Sequence, residues 1–163
     1  MKILTFGELM LRLKTPEHLK ILQADTFEAS YGGAEANVAV SLATLGNDVS
    51  YVTKVPEHQV GQAAINEIRR FGVDTTRVLR GGGRVGIYYF EKGTNIRPTS
   101  VVYDRAYSAI AMAEAEEFDW EKLLEGVELF YFSGITPAIS CEIEKTLESA
   151  LMLCKEKKNS GGM

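Results

Sequence analysis

Gly32-Gly33-Ala34-Glu35-Ala36-Asn37 is the segment whose residue types and spacing are best suited to chemistry. Two glycines where a helix begins let a ligand come close to the backbone. The free N–H groups of the first helical turn then point at whatever binds there. Asn37 lies one turn along, on the same side as Gly33, and offers both a donor and an acceptor. Such a set suits a polyhydroxy ligand. A loop shaped only by packing, with Asn37 at the surface, accounts for the same residues equally well. A nucleotide fingerprint does not, since neither G-x-G-x-x-G nor G-x-x-x-x-G-K-[ST] occurs at this point.

Other candidates are plainer. Gly81-Gly82-Gly83-Arg84 has the composition of a phosphate cradle but precedes a strand rather than a helix, which predicts a flexible turn. Ser133-Gly134-Ile135-Thr136 follows a strand, at the end where α/β folds place ligands. Thr136 there serves either a ligand or a helix cap. His18 and His58 are isolated and read as surface or loop residues. Cys141 and Cys154 fall in one expected helix, about 20 Å apart at ~1.5 Å per residue. A disulfide needs Cα atoms within ~7 Å, so both are expected to pack as small apolar residues. No metal-ligand spacing is present.

The elements that must position these residues alternate. Ile3 to Phe6 predicts a buried strand ended by Gly7, and Leu9 to Phe27 predicts small exposed strands and turns. Ala34 to Leu45 predicts a helix with Ala34, Val38, Leu42 and Leu45 along one face and Gly46 as a left-handed cap. Val49 to Thr53 is a second strand, and Gln62 to Phe71 a second helix burying Ala64, Ile65, Ile68 and Phe71 and stopped by Gly72. This β-α-β-α order is that of a parallel sheet covered by helices. The order then breaks: Val85 to Phe90 and Arg97 to Asp104 predict a hairpin joined through Glu91 to Asn95, an antiparallel excursion from the main sheet. Helix is expected again from Ser108 to Glu117 and from Asp119 to Leu124. A third core strand follows at Leu129 to Phe132, then a last helix with Ile143, Leu147, Leu151 and Cys154 on one face. Asn159 to Met163 is polar and predicts no strand, so a sheet cut here keeps an unpaired edge.

The 163 residues suit one domain. A net charge of −4 argues against nucleic acid or an anionic membrane as main partner, since both reward a basic face. No apolar run approaches the ~18 residues that span a bilayer. The N-terminus lacks the apolar length of a signal peptide, and a cytoplasmic protein is expected.

Tyr31-Gly32-Gly33-Ala34-Glu35-Ala36-Asn37-Val38-Ala39, followed by Leu42-Ala43-Thr44-Leu45-Gly46, closely resembles the first signature of the ribokinase-like carbohydrate kinases, the PfkB family. Ile3 to Glu8, Val60-Gly61-Gln62 and Phe71-Gly72-Val73-Asp74 resemble the same family in the same order. Arg97 to Ala109 resembles the 2-keto-3-deoxygluconate kinases within it. The resemblance implies an α/β fold: part of a doubly wound sheet with a small β-lid from about 9–27 and 85–104. On this view residues 1–163 are the N-terminal part of one sugar-kinase domain. It implies ATP- and Mg2+-dependent phosphorylation of a sugar acid. The substrate contacts implied are Gly32, Gly33, Asn37, Thr136 and, at the acidic end, Tyr89, Tyr103 and Arg105. Chemistry agrees for Arg105, whose planar charged fork matches a carboxylate. Tyr103 and Arg105 are two apart and share a strand face. A surface salt bridge at Arg105 is the plain alternative, and Glu8 either lines the sugar site or begins a turn.

The family's second signature, D-T-x-G-A-G-D, carries the catalytic Asp, and no Gly-Ala-Gly-Asp occurs in this sequence. No catalytic residue or protein-held metal is therefore assigned, and the chain alone is expected to be inactive. The lid is expected to pair between subunits in a homo-oligomer. A kinase for fructose, ribose or a nucleoside is the alternative substrate class, and a non-catalytic sugar-binding or dimerisation half-chain the alternative function.

Overall fold

The computed structural model describes residues 1–160. Chain order begins with β1 (Lys2–Phe6), β2 (Met10–Lys14), β3 (Glu28–Gly32) and α1 (Ala34–Thr44). It continues through β4 (Asp48–Val52), β5 (Lys54–Val55), α2 (Gln59–Arg69), β6 (Leu79–Arg80), β7 (Ile87–Glu91) and β8 (Ser100–Asp104). α3 (Trp120–Leu123), β9 (Leu129–Tyr131) and α4 (Cys141–Ser160) complete it.

β1 is the centre of a three-stranded parallel sheet in the order β4-β1-β9. Its alternating side chains enter two different cores, as the two-residue period of a strand requires. Leu4 and Phe6 face Phe118, Trp120, Ile143 and Leu147. Ile3 faces the side built from Ala36 and Ala39 of α1, Ala64 and Ile68 of α2, and Tyr51 of β4. Phe6 meets the Phe118 and Trp120 rings edge-on at 5.4 and 5.1 Å. The Trp120 indole N–H donates to the Thr146 hydroxyl at 2.7 Å, so its polar edge is satisfied inside the core. Among the described residues, β9 pairs on one side only.

The second sheet has the order β3-β2-β7-β8. β2 runs antiparallel to β3 and parallel to β7, and β7 and β8 form the expected antiparallel hairpin. The expected lid at 9–27 and 85–104 therefore gains β3. A short parallel pair, β5 with β6, was not foreseen.

Several expectations need correction. α1 buries Glu35, Ala36 and Ala39, while Leu45 is 78% exposed. Small side chains let this helix lie close to the sheet, so the larger apolar stripe is not the packed one. α4 buries Ile143, Leu147 and Ala150, whereas Leu151 is exposed, as is Phe71 after α2. Residues 108–114 form turns rather than helix, and a 3-10 turn covers only Ala115–Glu117. Cys141 is exposed at the start of α4 rather than packed. His58 is more than a loop residue: its Nδ1 accepts from the Val60 N–H and caps α2. Of the expected polar tail, the α4 backbone takes in residues 159 and 160, and residues 161–163 lie outside the described residues.

Candidate functional site

The alternation of the second sheet puts Met10 and Arg12 of β2, Tyr88 and Phe90 of β7, and Val101 and Tyr103 of β8 on one face. Between that face and the start of α1 lies a cavity of about 280 Å3, with Ile135, Thr136 and Ile139 as a further wall. It opens beyond the C-terminal ends of β1 and β9, where parallel sheets put ligands.

The α1 wall is shaped by backbone proximity. Gly33 caps the helix in an extended conformation (φ −173°, ψ 160°) that any residue adopts. Glycine is needed there because a Cβ would collide with the carbonyl oxygen of Glu8. No side chain caps the first turn, so its N–H groups remain open toward the cavity. Asn37 is exposed, and its side-chain amide has no partner among the described residues.

Beneath this wall Glu35 is buried and fixed. One of its carboxylate oxygens accepts from the Ser133 N–H at 2.9 Å and the Ser133 hydroxyl at 2.5 Å. The Thr136 hydroxyl lies 2.7 Å from the same oxygen and 3.2 Å from the Phe6 carbonyl. Thr136 thus lines the cavity but its hydroxyl serves the scaffold. Tyr51, buried in the core behind the cavity, donates to the Gly7 carbonyl at 2.9 Å. Burial pushes its phenol pKa well up, and the nearby Glu35 and Glu8 charges add to the effect.

The sheet wall alternates rings and guanidinium groups. Arg12 sits 4.5 Å over the Phe90 ring, Tyr88 pairs across the strands with Tyr103 at 5.9 Å, and Arg105 lies 5.9 Å from the Tyr103 ring. Burial raises the Tyr88 phenol pKa, and the adjacent Arg12 pulls it partly back. Arg105 forms an ion pair with Glu8, whose side chain is 3% exposed against 29% for Arg105. The other Glu8 oxygen accepts from the Ser108 hydroxyl at 2.8 Å. Arg84 braces the chain entering Arg105, donating to the Asp104 carboxylate and carbonyl, both at 2.9 Å. The glycine-rich turn before β7 is thereby an anchor for the site and not a phosphate cradle.

Of the residues expected at the site, Gly33, Asn37, Tyr103, Arg105 and Thr136 come together around this cavity. Gly32 stands just behind, where a Cβ would lie 3.3 Å from the Asn37 side-chain oxygen. Tyr89 does not join them. It points to the outer face of the sheet and meets Phe27 edge-on at 5.8 Å, and Tyr88 occupies the inner position instead. A shift of one residue in a strand reverses the face. Arg12 was missed. Its signal was a charge two residues after Met10, on the strand face that Met10 buries.

Residues 1–160 match the sequence model described as pfkB family carbohydrate kinase. The chain is 37% identical over 155 residues to the 2-dehydro-3-deoxygalactonokinase of Haloferax volcanii, covering 95% of this chain and 48% of that protein. It is 32% identical over 142 residues to the 2-dehydro-3-deoxygluconokinase of Bacillus subtilis, covering 86% and 43%. The crystal structure of 2-dehydro-3-deoxygluconokinase from Thermotoga maritima superposes with a TM-score of 0.95 at 53% identity, over 97% of this chain and 48% of that one. The chain spans about half the length of the curated relatives it matches.

Proposed function

The chain belongs to the pfkB family of carbohydrate kinases, and from that premise we propose that its cavity is the sugar-binding half of a site that phosphorylates a sugar acid, 2-keto-3-deoxygluconate or a close stereoisomer. The ribokinase-like α/β fold is the family's. The observation that most supports the substrate class is the facing of two unlike walls. One offers open N–H groups and the free Asn37 amide, suited to hydroxyls. The other offers guanidinium groups between aromatic rings, suited to a carboxylate and the carbon chain behind it. Gly33 and Asn37 hold hydroxyls in this reading. Tyr103 and Arg105 meet the acidic end, with Tyr88 in the place expected of Tyr89. The relatives in Haloferax volcanii, Bacillus subtilis and Thermotoga maritima, all named as 2-dehydro-3-deoxy sugar-acid kinases, support the same class.

ATP and Mg2+ are the donor and metal proposed for the complete reaction. The cavity's own residues do not fit either. Glu8 and Glu35 are committed to Arg105, Ser108, Ser133 and Thr136, and Gly81 to Gly83 lead into β7 rather than into a helix. Glu114, Glu116 and Glu142, whose carboxylates lie within 4.8 Å of one another, are outside the cavity lining. The chain by itself is expected to bind sugar without turning it over.

We also propose that residues 1–163 form the N-terminal part of a single sugar-kinase domain, working in the cytoplasm. No helix among the described residues is long and apolar enough to cross a membrane. The outer face of the lid, with Leu11, Leu13, Tyr89 and the half-exposed Val102, is proposed to pair with a second copy.

Isothermal titration calorimetry on the chain tests the substrate class. It is expected to bind 2-keto-3-deoxygluconate at least about tenfold more tightly than fructose, the worth of one charge-assisted contact. Equal or reversed affinities would assign the site to a neutral sugar.

A further inference from the structure

Arg105 is the first residue past β8, just beyond the last rung of the hairpin ladder at Ile87 and Asp104. Two residues on, Tyr107 has φ 58°, a left-handed conformation that is strained for a bulky side chain. Strain of this kind persists only where the surroundings impose it. Tyr107 is itself largely exposed, so the constraint comes from the backbone around it. Arg84 supplies it. Its guanidinium donates to the Asp104 carbonyl at 2.9 Å and to the Ala106 carbonyl at 3.3 Å, one on each side of Arg105. The same group donates to the Asp104 carboxylate at 2.9 Å, and the Arg84 carbonyl accepts from the Ala109 N–H at 2.8 Å. One residue thus ties both ends of the turn that carries Arg105. The strap is anchored from behind as well. Gly82, left-handed at φ 80°, lies against Ala109 where a Cβ would collide. His58 accepts from the Val60 N–H through Nδ1, so its Nε2 carries the proton and donates to the Gly83 carbonyl at 3.3 Å. Arg84 is outside the cavity lining.

We infer that Arg84 is a positioning residue for substrate recognition: by clamping the carbonyls on both sides of Arg105 it sets where that guanidinium stands, and with it the affinity for an acidic sugar. The inference rests on the sugar-acid reading, in which Arg105 meets the acidic end, and adds the group outside the cavity that aims it. Glu8 holds the guanidinium end of the Arg105 side chain, and Arg84 holds the backbone end. With both ends fixed, little freedom remains to be lost when a carboxylate arrives. A two-pronged contact is directional and tolerates little displacement, whereas hydroxyls held at the α1 wall do not depend on Arg105. An ordinary surface ion pair between Arg84 and Asp104 predicts otherwise: a slight effect on stability and none on the choice of sugar.

Calorimetry with 2-keto-3-deoxygluconate and with fructose, on the wild-type chain, Arg84→Gln, Arg84→Lys, Arg105→Gln and the Arg84→Gln/Arg105→Gln double variant, tests the inference. Arg84→Gln is expected to lose at least about fivefold in affinity for the acid and to stay within about twofold for fructose. In the Arg105→Gln background the same substitution should change acid affinity by less than about twofold, because a residue that acts through Arg105 has nothing left to aim. Arg84→Lys should recover little, since a point charge cannot span the two carbonyls. The inference is overturned if Arg84→Gln leaves acid affinity unchanged, weakens both sugars alike, or costs the same with and without Arg105. Full recovery in Arg84→Lys would reduce the contact to a charge beside Asp104 and overturn it too. A wild-type chain that prefers fructose would instead overturn the sugar-acid reading, and the positioning claim is then read without sugar. NMR relaxation of the Arg105 Nε–H should show that side chain more mobile in Arg84→Gln than in the wild type. An unchanged Arg105 signal contradicts the inference whichever sugar is preferred.

Discussion

β1 and β8 are both five-residue strands, Lys-Ile-Leu-Thr-Phe and Ser-Val-Val-Tyr-Asp, yet four residues of the first are buried and none of the second. β1 lies between two parallel neighbours with helices over both faces, so every side chain after Lys2 packs. β8 is the edge of the lid sheet, with one face on the cavity and the other outward. Large apolar and aromatic side chains therefore mean different things in the two regions. In the parallel sheet they hold the fold together; in the lid they are available to a ligand or a partner surface.

The comparison is tested most severely by removing one ring from each sheet. Phe6 is fully buried among aromatic neighbours, whereas Tyr103 is 60% exposed. Phe6→Ala is expected to cost about 3–5 kcal/mol of stability in urea unfolding. Tyr103→Ala should stay within about 0.5 kcal/mol, as substitutions away from the core do, while weakening sugar binding. Similar stability losses in the two variants would break the contrast. A middle case joins the regions: Glu35 belongs to the core by burial and to the cavity by position. Glu35→Ala leaves the Ser133 N–H and hydroxyl without their acceptor and the Thr136 hydroxyl with the Phe6 carbonyl alone, and about 1–3 kcal/mol of destabilisation is expected. A variant as stable as the wild type would show that those contacts are not formed in solution.

The smallest effect expected is at Asp74, far from the lid. Burial acts to raise its pKa, but the Thr76 N–H and hydroxyl, the Ser50 hydroxyl and Arg77 together lower it below the ordinary carboxylate range. A depressed folded-state pKa contributes stability above the unfolded value, and that contribution disappears as pH falls through the folded one. Stability should thus decline on the acid side of the ordinary aspartate range, and Asp74→Asn should flatten that part of the profile. An unchanged acid limb in thermal melts would remove Asp74 from the account.

What could be read from the sequence was local. The glycine pair opening α1, the helix itself and the β7–β8 hairpin each depend on a few adjacent residues, and each appears where expected. What could not be read depends on parity or on distance along the chain. Choosing Tyr88 over Tyr89 needs the strand register, in which one residue reverses the face. The engagement of Arg105 by Glu8 joins residues that only the folded arrangement of β1 and β8 brings together. The α1 stripe was misread because close helix–sheet packing favours Ala36 and Ala39 over bulkier neighbours. Thr136 lines the cavity, and which way its hydroxyl turns, toward Glu35 and the Phe6 carbonyl, depends on residues far away in the chain.

The central claim is that a sugar acid lies between the start of α1 and the inner face of the lid. Backbone chemical-shift mapping of the chain titrated with 2-keto-3-deoxygluconate tests it most directly. The account predicts the largest shifts at Gly33, Asn37, Tyr88, Tyr103 and Arg105, with Phe27 on the outer face and the α4 helix nearly silent. Shifts centred on the outer face or on α4, or none at saturating sugar, would contradict it.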